Sequence, residues 1–367
     1  MSKVKLGDVA DVCVSGVDKK TIPDEQPVRL CNYTDVYYNW TIRREMAEGF
    51  MSASARPNEI AKFRLRAGQV VMTKDSETRS DIGHSAFVAD DFEDVILGYH
   101  CALVTPHEEK LNGQYLNGLL RTRHISDYLS RNAGGSGQRY YLSDSTIKAM
   151  PISLPPYDAQ LRIAGILGSL DEKIELNRRK IAELEALAGV VYNQLVATNQ
   201  CEYSTISAVA TVKTGKQDSN FSTADGEYRF FTCSKDILWC DKYEFEGKAI
   251  LLTGNGDLHV RYFDGKFNAY QRTYVLQPND AHLFSAIYFA VRAMLIRLTR
   301  SASGSIVKFI TKGDVEHIKV PAFKKPHQKL LNDCLSNVLN IEQEIDALIR
   351  IRDKLLPLLM NGQVVVK

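Results

Sequence analysis

The stretch LGSLDEKIELNRRKIAELEALAGVVYNQL, residues 167–195, decides the fold. Its apolar positions are Leu167, Leu170, Ile174, Ile181, Leu184, Ala188, Val191 and Leu195, and Asn177 fills the one gap. The spacing alternates three and four, the heptad pattern of a helix with one seam to bury. An Asn in such a seam fixes register at some cost in stability. Pro155 and Pro156 precede the stretch and Asp158 is placed to cap it, so the spacing predicts a helix running to about Val196. A second helix is predicted over about 327–360. Val338, Ile341, Ile345, Leu348, Leu355 and Leu359 form its seam, with Arg352 inside it. Neither seam is stable in water. The economical solution packs the two antiparallel within one chain; homodimerisation through either helix is the alternative. A helix of about 36 residues is roughly 54 Å long, at 1.5 Å per residue.

Outward from these helices the chain repeats itself. Gly7-Asp8-Val9-Ala10-Asp11-Val12, then Gly16, is echoed by Ser207-Ala208-Val209-Ala210-Thr211-Val212, then Gly215. Val28-Arg29-Leu30 is echoed by Tyr228-Arg229-Phe230, and Gly68 to Thr73 by Gly247 to Thr253. Tyr99-His100 matches Tyr270-Gln271. Each half then shows a helix-like stretch (around 114–130 and 283–299), a Gly/Ser turn (134–137 and 301–305), a short strand with proline, and a long helix. The expected fold is α+β: two related globular domains of mixed sheet, 1–154 and 199–320, separated by antiparallel coiled-coil helices at 155–198 and 321–367, with a pseudo-two-fold internal repeat. Two similar heads on a spacer suit a two-part target with a fixed gap, because duplex DNA also advances by a fixed rise.

Net charge is +2 over 367 residues, so any nucleic-acid surface must be a local concentration of Lys and Arg. Residues 121–148 carry Arg121, Arg123, Arg131, Arg139 and Lys148 against two aspartates. The equivalent stretch 292–319 carries Arg292, Arg297, Arg300, Lys308, Lys312 and Lys319. Phosphate neutralisation requires such clusters, and Gly/Ser turns let backbone amides approach closely. A second candidate is the polar loop 73–81, with its counterpart 253–261; both mix donors and acceptors of the kind that read base edges. The candidate DNA-binding residues are therefore Lys74, Arg79, Ser80, Arg131, Ser136, Gln138, Arg139 and Tyr140 in the first half. In the second they are Lys216, Asn255, His259, Arg261, Arg300, Ser303, Ser305 and Lys308.

Signals for chemistry are weak. Leu154-Pro155-Pro156-Tyr157 has Leu where an adenine methyltransferase needs Asn or Asp, and reads as a helix-start turn. Gly134-Gly135-Ser136-Gly137 lacks the Lys-Ser/Thr of a phosphate loop. Asp236 or Asp241 with Glu246-Gly247-Lys248 is only a loose nuclease pattern. No HExxH or CxxC exists, so no metal site is expected. Seven scattered cysteines suit reduced thiols in the cytoplasm. The N-terminus shows no apolar signal core. The most apolar stretch, Ala286 to Leu298, is interrupted by Arg292 and Arg297 and reads as a buried amphipathic helix.

Residues 136–156 and the run Gln160-Leu161-Arg162-Ile163-Ala164, then Leu170 through Asn177, resemble the end of a target-recognition domain and the central helical region of type I restriction–modification specificity subunits. The resemblance covers essentially the whole chain. It implies a non-catalytic DNA-reading subunit whose domains each read one half of a bipartite site. Its helices would dock two modification subunits, and restriction subunits would join them. It implies no cofactor on this chain; the partners would use S-adenosylmethionine, and ATP with Mg in the restriction complex. The second half keeps only Pro321 and Gln328 of the corresponding motif. That leaves open a related type II or other anti-phage methylation system. A pure coiled-coil scaffold is the remaining alternative.

Overall fold

The computed structural model describes residues 2–135, 137–198, 201–223, 226–234, 236–301 and 309–364. The long helices run over Tyr157–Thr198, the central helix, and Lys325–Met360, the second helix. Each starts within a few residues of its predicted position. The chain divides into two compact units, Met1–Glu175 with Asp346–Lys367, and Leu176–Ile345, so the division falls inside both helices.

The reason is that head and helices share a core. In the first unit Ile163, Ala164 and Leu167 of the central helix cluster with Leu356, Leu359 and Met360 of the second, and with Leu116, Leu119 and Leu120 of the helix Gly113–Leu120. Burying each such leucine contributes about 2 kcal/mol. Gly118 makes the approach possible: a Cβ there would lie 2.6 Å from Met360 Cε and 2.9 Å from Leu167 Cδ1. Gln160, fully buried, staples the start of the central helix to the head. Its amide donates to the carbonyls of Lys110 (3.0 Å) and Pro155 (3.1 Å) and accepts from the Asn112 N–H.

The first head is built on a five-stranded sheet in the order Ala10–Val14, Cys101–Pro106, Val70–Thr73, Ser85–Val88, Thr41–Ile42. Its central strand, VVMT, is buried at every position, as a strand covered on both faces must be. A second sheet joins Met51–Ala55, Gln26–Cys31 and Val95–Leu97. The last pair of each sheet is parallel and the others antiparallel, the mixed character expected from the sequence.

The second unit carries a six-stranded sheet in the order Ala210–Thr214, Thr273–Pro278, Phe245–Thr253, Val260–Ala269, Tyr228–Phe231, Leu238–Cys240. The helix Phe284–Ser301 packs on it. By length and composition Ala281–Leu298 would suffice to cross a membrane. Here Phe284, Ala286, Ile287 and Val291 are core residues beside Ile250 and Leu276, as the sequence reading expected. Ala188, Tyr192 and Leu195 of the central helix cluster with Leu331, Leu335 and Val338 of the second. In both units the helix segments therefore pair antiparallel. Gln328, the sequence counterpart of Gln160, leaves its amide nitrogen without a partner. Asn332, one turn on, holds the head instead, donating to His282 O (2.7 Å) and accepting from Ser285 N–H (3.1 Å).

The repeat is visible bond by bond. Leu6 N–H donates to Met150 O (2.9 Å), and Ile206 N–H to Ile318 O (3.0 Å). Ser15 N–H donates to Cys101 O, and Gly215 N–H to Thr273 O. Leu142 N–H donates to Lys74 O (2.7 Å), and Ile310 N–H to Gly254 O (2.8 Å). One echo shifts by a residue. Lys74 N–H donates to His100 O and Gly254 N–H to Arg272 O, so Tyr99-His100 corresponds to Gln271-Arg272 rather than to Tyr270-Gln271.

The seam positions Leu170, Ile174, Asn177, Ile181 and Leu184, and Ile341, Ile345, Leu348 and Leu355, are all buried or half-buried. Asn177 is 1% exposed, and neither its amide oxygen nor its nitrogen has a partner. An unsatisfied buried amide costs about 1–3 kcal/mol. Asn177→Leu should therefore stabilise the protein by about that amount and raise Tm by a few degrees. A melting curve that falls instead would show the amide to be satisfied.

Candidate nucleic-acid interface

The two stretches that the sequence offered as DNA-contacting in the first half come together. Asp75–Ser76, Tyr140–Tyr141 and Gly134–Gly135 form a three-stranded antiparallel sheet, with Tyr140 opposite Ser76 and Tyr141 opposite Asp75. Gly135 has φ +106°, which only glycine adopts without strain, and lets the hairpin turn back. Arg79 lies over the Tyr140 ring, 4.9 Å from its centroid, which fixes an exposed guanidinium beside the hairpin. Gln138, Arg139 and Ser80 are exposed on the same loops, and Arg131 is exposed at the end of the helix Arg123–Asn132. Ser136 lies outside the described residues.

Lys74 is placed differently. Its Nζ pairs with Asp75 at 2.9 Å, and the same carboxylate oxygen takes His100 Nδ1 at 2.5 Å. Burial pushes the Asp75 carboxyl up, but the hydrogen bonds from His100 and Lys74 outweigh it and hold the group below its ordinary value. Lys74 thus anchors the loop from within. Arg121, counted in the basic stretch, is also internal. It donates to the carbonyls of Ser85 and Asn39 and stacks on Trp40, over which Arg352 also lies, at 4.1 Å. Burial, with Arg352 nearby, brings its guanidinium down to about 10. Lys148 pairs with Asp144 one turn away (2.8 Å).

Sequence reading missed the tyrosines of the short helix Tyr33–Tyr38. Tyr33 and Tyr37 stack at 5.6 Å, and Tyr37 donates to Asp81 (3.0 Å), which also takes His84 Nε2 (2.7 Å). Burial and the adjacent Asp81 push the Tyr37 phenol up to about 12, so it stays a donor. Three tyrosines in six residues, two of them at i,i+4, were the available signal.

In the second unit Asn255 bridges to Phe309, as Asp75 does to Tyr141, and accepts from Cys233 Sγ at 3.0 Å. His259 is half-buried and donates from Nδ1 to the Asp257 carbonyl. Arg261 is half-buried in a different cavity, with Glu185, Tyr262 and Glu342; burial lowers its pKa against the pull of Asp236 and Glu342. Lys216 is exposed and pairs with Glu244 at 2.5 Å. Arg300 falls in the last turn of the helix Phe284–Ser301, and Ser303, Ser305 and Lys308 lie outside the described residues. Among the described residues no cluster of His, Cys, Asp and Glu could hold a metal.

The Lys74–Asp75–His100 cluster yields a pH prediction. Asp75→Asn leaves Lys74 without its partner in a largely buried site and should cost on the order of 3 kcal/mol at pH 7. Because the folded carboxyl ionises more readily than the unfolded one, its contribution is complete above the ordinary carboxylate range near pH 4. It is lost as pH falls through the lower folded value. Urea melts of both proteins should thus converge below pH 4. A gap that is constant with pH would remove Asp75 ionisation as the cause.

The sequence model of the type I restriction modification DNA specificity domain matches residues 1–186 and again 199–350. The type I restriction enzyme EcoDI specificity subunit of Escherichia coli is 34% identical over 160 residues, 41% of this chain and 36% of that protein. The match thus spans little more than a third of that relative's length. The MjaIX specificity subunit of Methanocaldococcus jannaschii is 23% identical over 304 residues, 69% of each chain. In fold, the chain is similar to the crystal structure of the type I restriction–modification S subunit from M. genitalium, with TM-score 0.56 and 16% identity, covering 98% of this chain and 95% of that one. With both of its halves matched by one domain model, the chain belongs to the type I restriction modification DNA specificity domain family.

Proposed function

We propose that this chain is the non-catalytic DNA-reading subunit of a type I restriction–modification complex, each unit reading one half of a bipartite target. The observation that carries this reading is the recurrence in both units of one pairing between a loop and a later segment, with different side chains on it. Asp75 faces Tyr141 in the first, and Asn255 faces Phe309 in the second. A duplicated frame with diverged contacts is what reading two unlike half-sites requires. Positive side chains beside the pairing, Arg79 and Arg139, suit phosphate contact, which positions a reader, while base edges specify the sequence. Two modification subunits would dock on the long helices and bring S-adenosylmethionine. Restriction subunits would add ATP and Mg. The place of action would be the cytoplasm.

Adenine methylation mapped across the host genome, with and without the gene, tests the reading. Deletion should erase methylation at one two-part motif and leave other motifs intact. An unchanged methylation map, or methyl transfer to mixed DNA by the purified chain alone, would refute it. Binding of the complex to a duplex carrying that motif should weaken steeply with salt, and Arg79→Ala with Arg139→Ala should lessen the slope by about one to two.

The helices would set the gap. Seven residues inserted after Glu175, matched by seven after Ile345, add two helical turns, roughly 10.5 Å at 1.5 Å per residue. With base pairs 3.4 Å apart, the methylated motif should keep both half-sites and gain about three base pairs between them. An unchanged gap would defeat the ruler.

A further inference from the structure

The turn 270–273 of the second unit presents two side chains from a backbone pinned on several sides. Thr273 N–H closes it onto Tyr270 O (2.8 Å), Tyr270 N–H donates to Phe231 O (2.9 Å), and Gln271 N–H to Gln217 O (2.9 Å). Arg272 O accepts from Gly254 N–H (2.8 Å), and Thr273 O from Gly215 N–H (3.1 Å). Gly215 passes so close that a Cβ there would lie 1.9 Å from Ala269 O and 2.5 Å from Tyr270 O. The two residues inside the turn, Gln271 and Arg272, are exposed, and the Arg272 guanidinium has no ion-pair partner among the described residues. Both line a cavity of about 230 Å³ with Asn255 and Thr214, and no carboxylate is among its described lining residues.

The first unit has different chemistry at the same place. Lys74 N–H donates to His100 O as Gly254 N–H does to Arg272 O, so His100 and Arg272 are equivalent. His100 Nδ1 (2.5 Å) and Lys74 Nζ (2.9 Å) both reach Asp75, whose side chain is nine-tenths buried. That cluster is closed, because its cations already hold the carboxylate. In the second unit Gly254 stands for Lys74 and Asn255 for Asp75. An amide does not neutralise a guanidinium. The change from acid to amide therefore removes the counter-charge at the place where the arginine stands. A cation carried on a fixed turn and left unpaired by its own fold is open to an acceptor from outside.

Arginine meets DNA at a phosphate or at a guanine edge. A phosphate contact needs charge and tolerates a mobile backbone. A guanine contact needs the planar fork of donors aimed at O6 and N7, and so a fixed origin. The turn 270–273 supplies that origin, and the neighbouring Gln271 and Asn255 are of the kinds that read adenine edges. We propose that Arg272 is a specificity-determining residue, donating to O6 and N7 of one guanine in the major groove of the half-site that the second unit reads, an assignment that rests on the DNA-reading function above.

The test uses the full-length chain and a duplex that it selects from random-sequence DNA, with affinity read by fluorescence anisotropy. Each guanine of the selected motif is replaced in turn by 7-deazaguanine, which keeps the base pair and removes the N7 acceptor. One replacement should weaken binding by the unaltered chain about fivefold, and Arg272→Ala should be indifferent to that same replacement. Arg272→Ala should lose about tenfold on the intact motif and less than about twofold on random duplex. Arg272→Met, which keeps the apolar stem without the donors, should match it. Gln271→Ala, on the same turn, should keep the sensitivity to that guanine. A loss shared equally by motif and random duplex would make Arg272 a phosphate contact and overturn the assignment. So would a motif without a sensitive guanine, a sensitivity that survives Arg272→Ala or Arg272→Met, or one that disappears with Gln271→Ala, while sequence-selective binding upheld the reader. If the chain selects no duplex, the DNA-reading function fails, and the arginine assignment fails with it.

Discussion

The apolar seam of the two long helices is the constraint on which the rest depends. Seam residues of both helices, from Leu167 to Leu195 and from Val338 to Leu359, leave water by packing against the other helix and against the heads. The segments of the central helix and the second helix meet antiparallel in each unit, and each head is built onto that pair rather than beside it. Leu167 and Leu359 thus belong to the same core as Leu116 and Ile152 of the first head. A head whose core includes the helices cannot tilt without opening that core, which close packing makes costly.

Polar contacts then orient the heads. In the first unit Asp171 of the central helix accepts from Thr41 Oγ1 and Arg43, both at 2.7 Å, and Arg352 of the second helix stacks on Trp40. In the second unit Glu185 accepts from Tyr262 at 2.9 Å, and Glu342 lies near Arg261. Each half thus sets an acid of the central helix against a strand of its own head. Asp171 and Glu185 stand fourteen residues apart, two heptads, so the helix period that repeats the seam repeats the anchor too. Such contacts are directional where apolar packing is not, which suits a protein that must present loops at a fixed angle.

Much of this was legible in sequence because it is periodic or duplicated. The heptads located both helices, and the echoed segments located equivalent strands to within a residue. Arg29 and Arg229, matched by sequence, do pair to equivalent strands. What stayed hidden depends on tertiary pairing. Nothing local in Asp75–Ser76 shows that it will lie against Tyr140–Tyr141, more than sixty residues on. Charge counting cannot tell an inward arginine from an outward one. Arg121 and Arg139 look alike in a basic stretch, yet one sits against Trp40 and two carbonyls and the other is exposed. Nor can charge counting show that Lys74 pairs with Asp75 or that Arg261 lies half-buried near Asp236 and Glu342, carboxylates that compete with any phosphate.

That competition separates the inward cations of a chain of net charge +2 from those exposed at its loops. The inward cations are neutralised or desolvated: Lys74 by Asp75, Arg43 by Asp171, Arg121 by burial. Arg79 and Arg139 are left exposed at the loops, beside the exposed Glu77. Arg79 is held in place by the Tyr140 ring rather than by a carboxylate. An aromatic ring fixes a guanidinium without cancelling its charge, whereas an ion pair would fix and cancel it together. Of the devices available for holding an exposed arginine, the ring is the one that leaves its charge available to an anion, and the fold places it on the same hairpin that closes the loop.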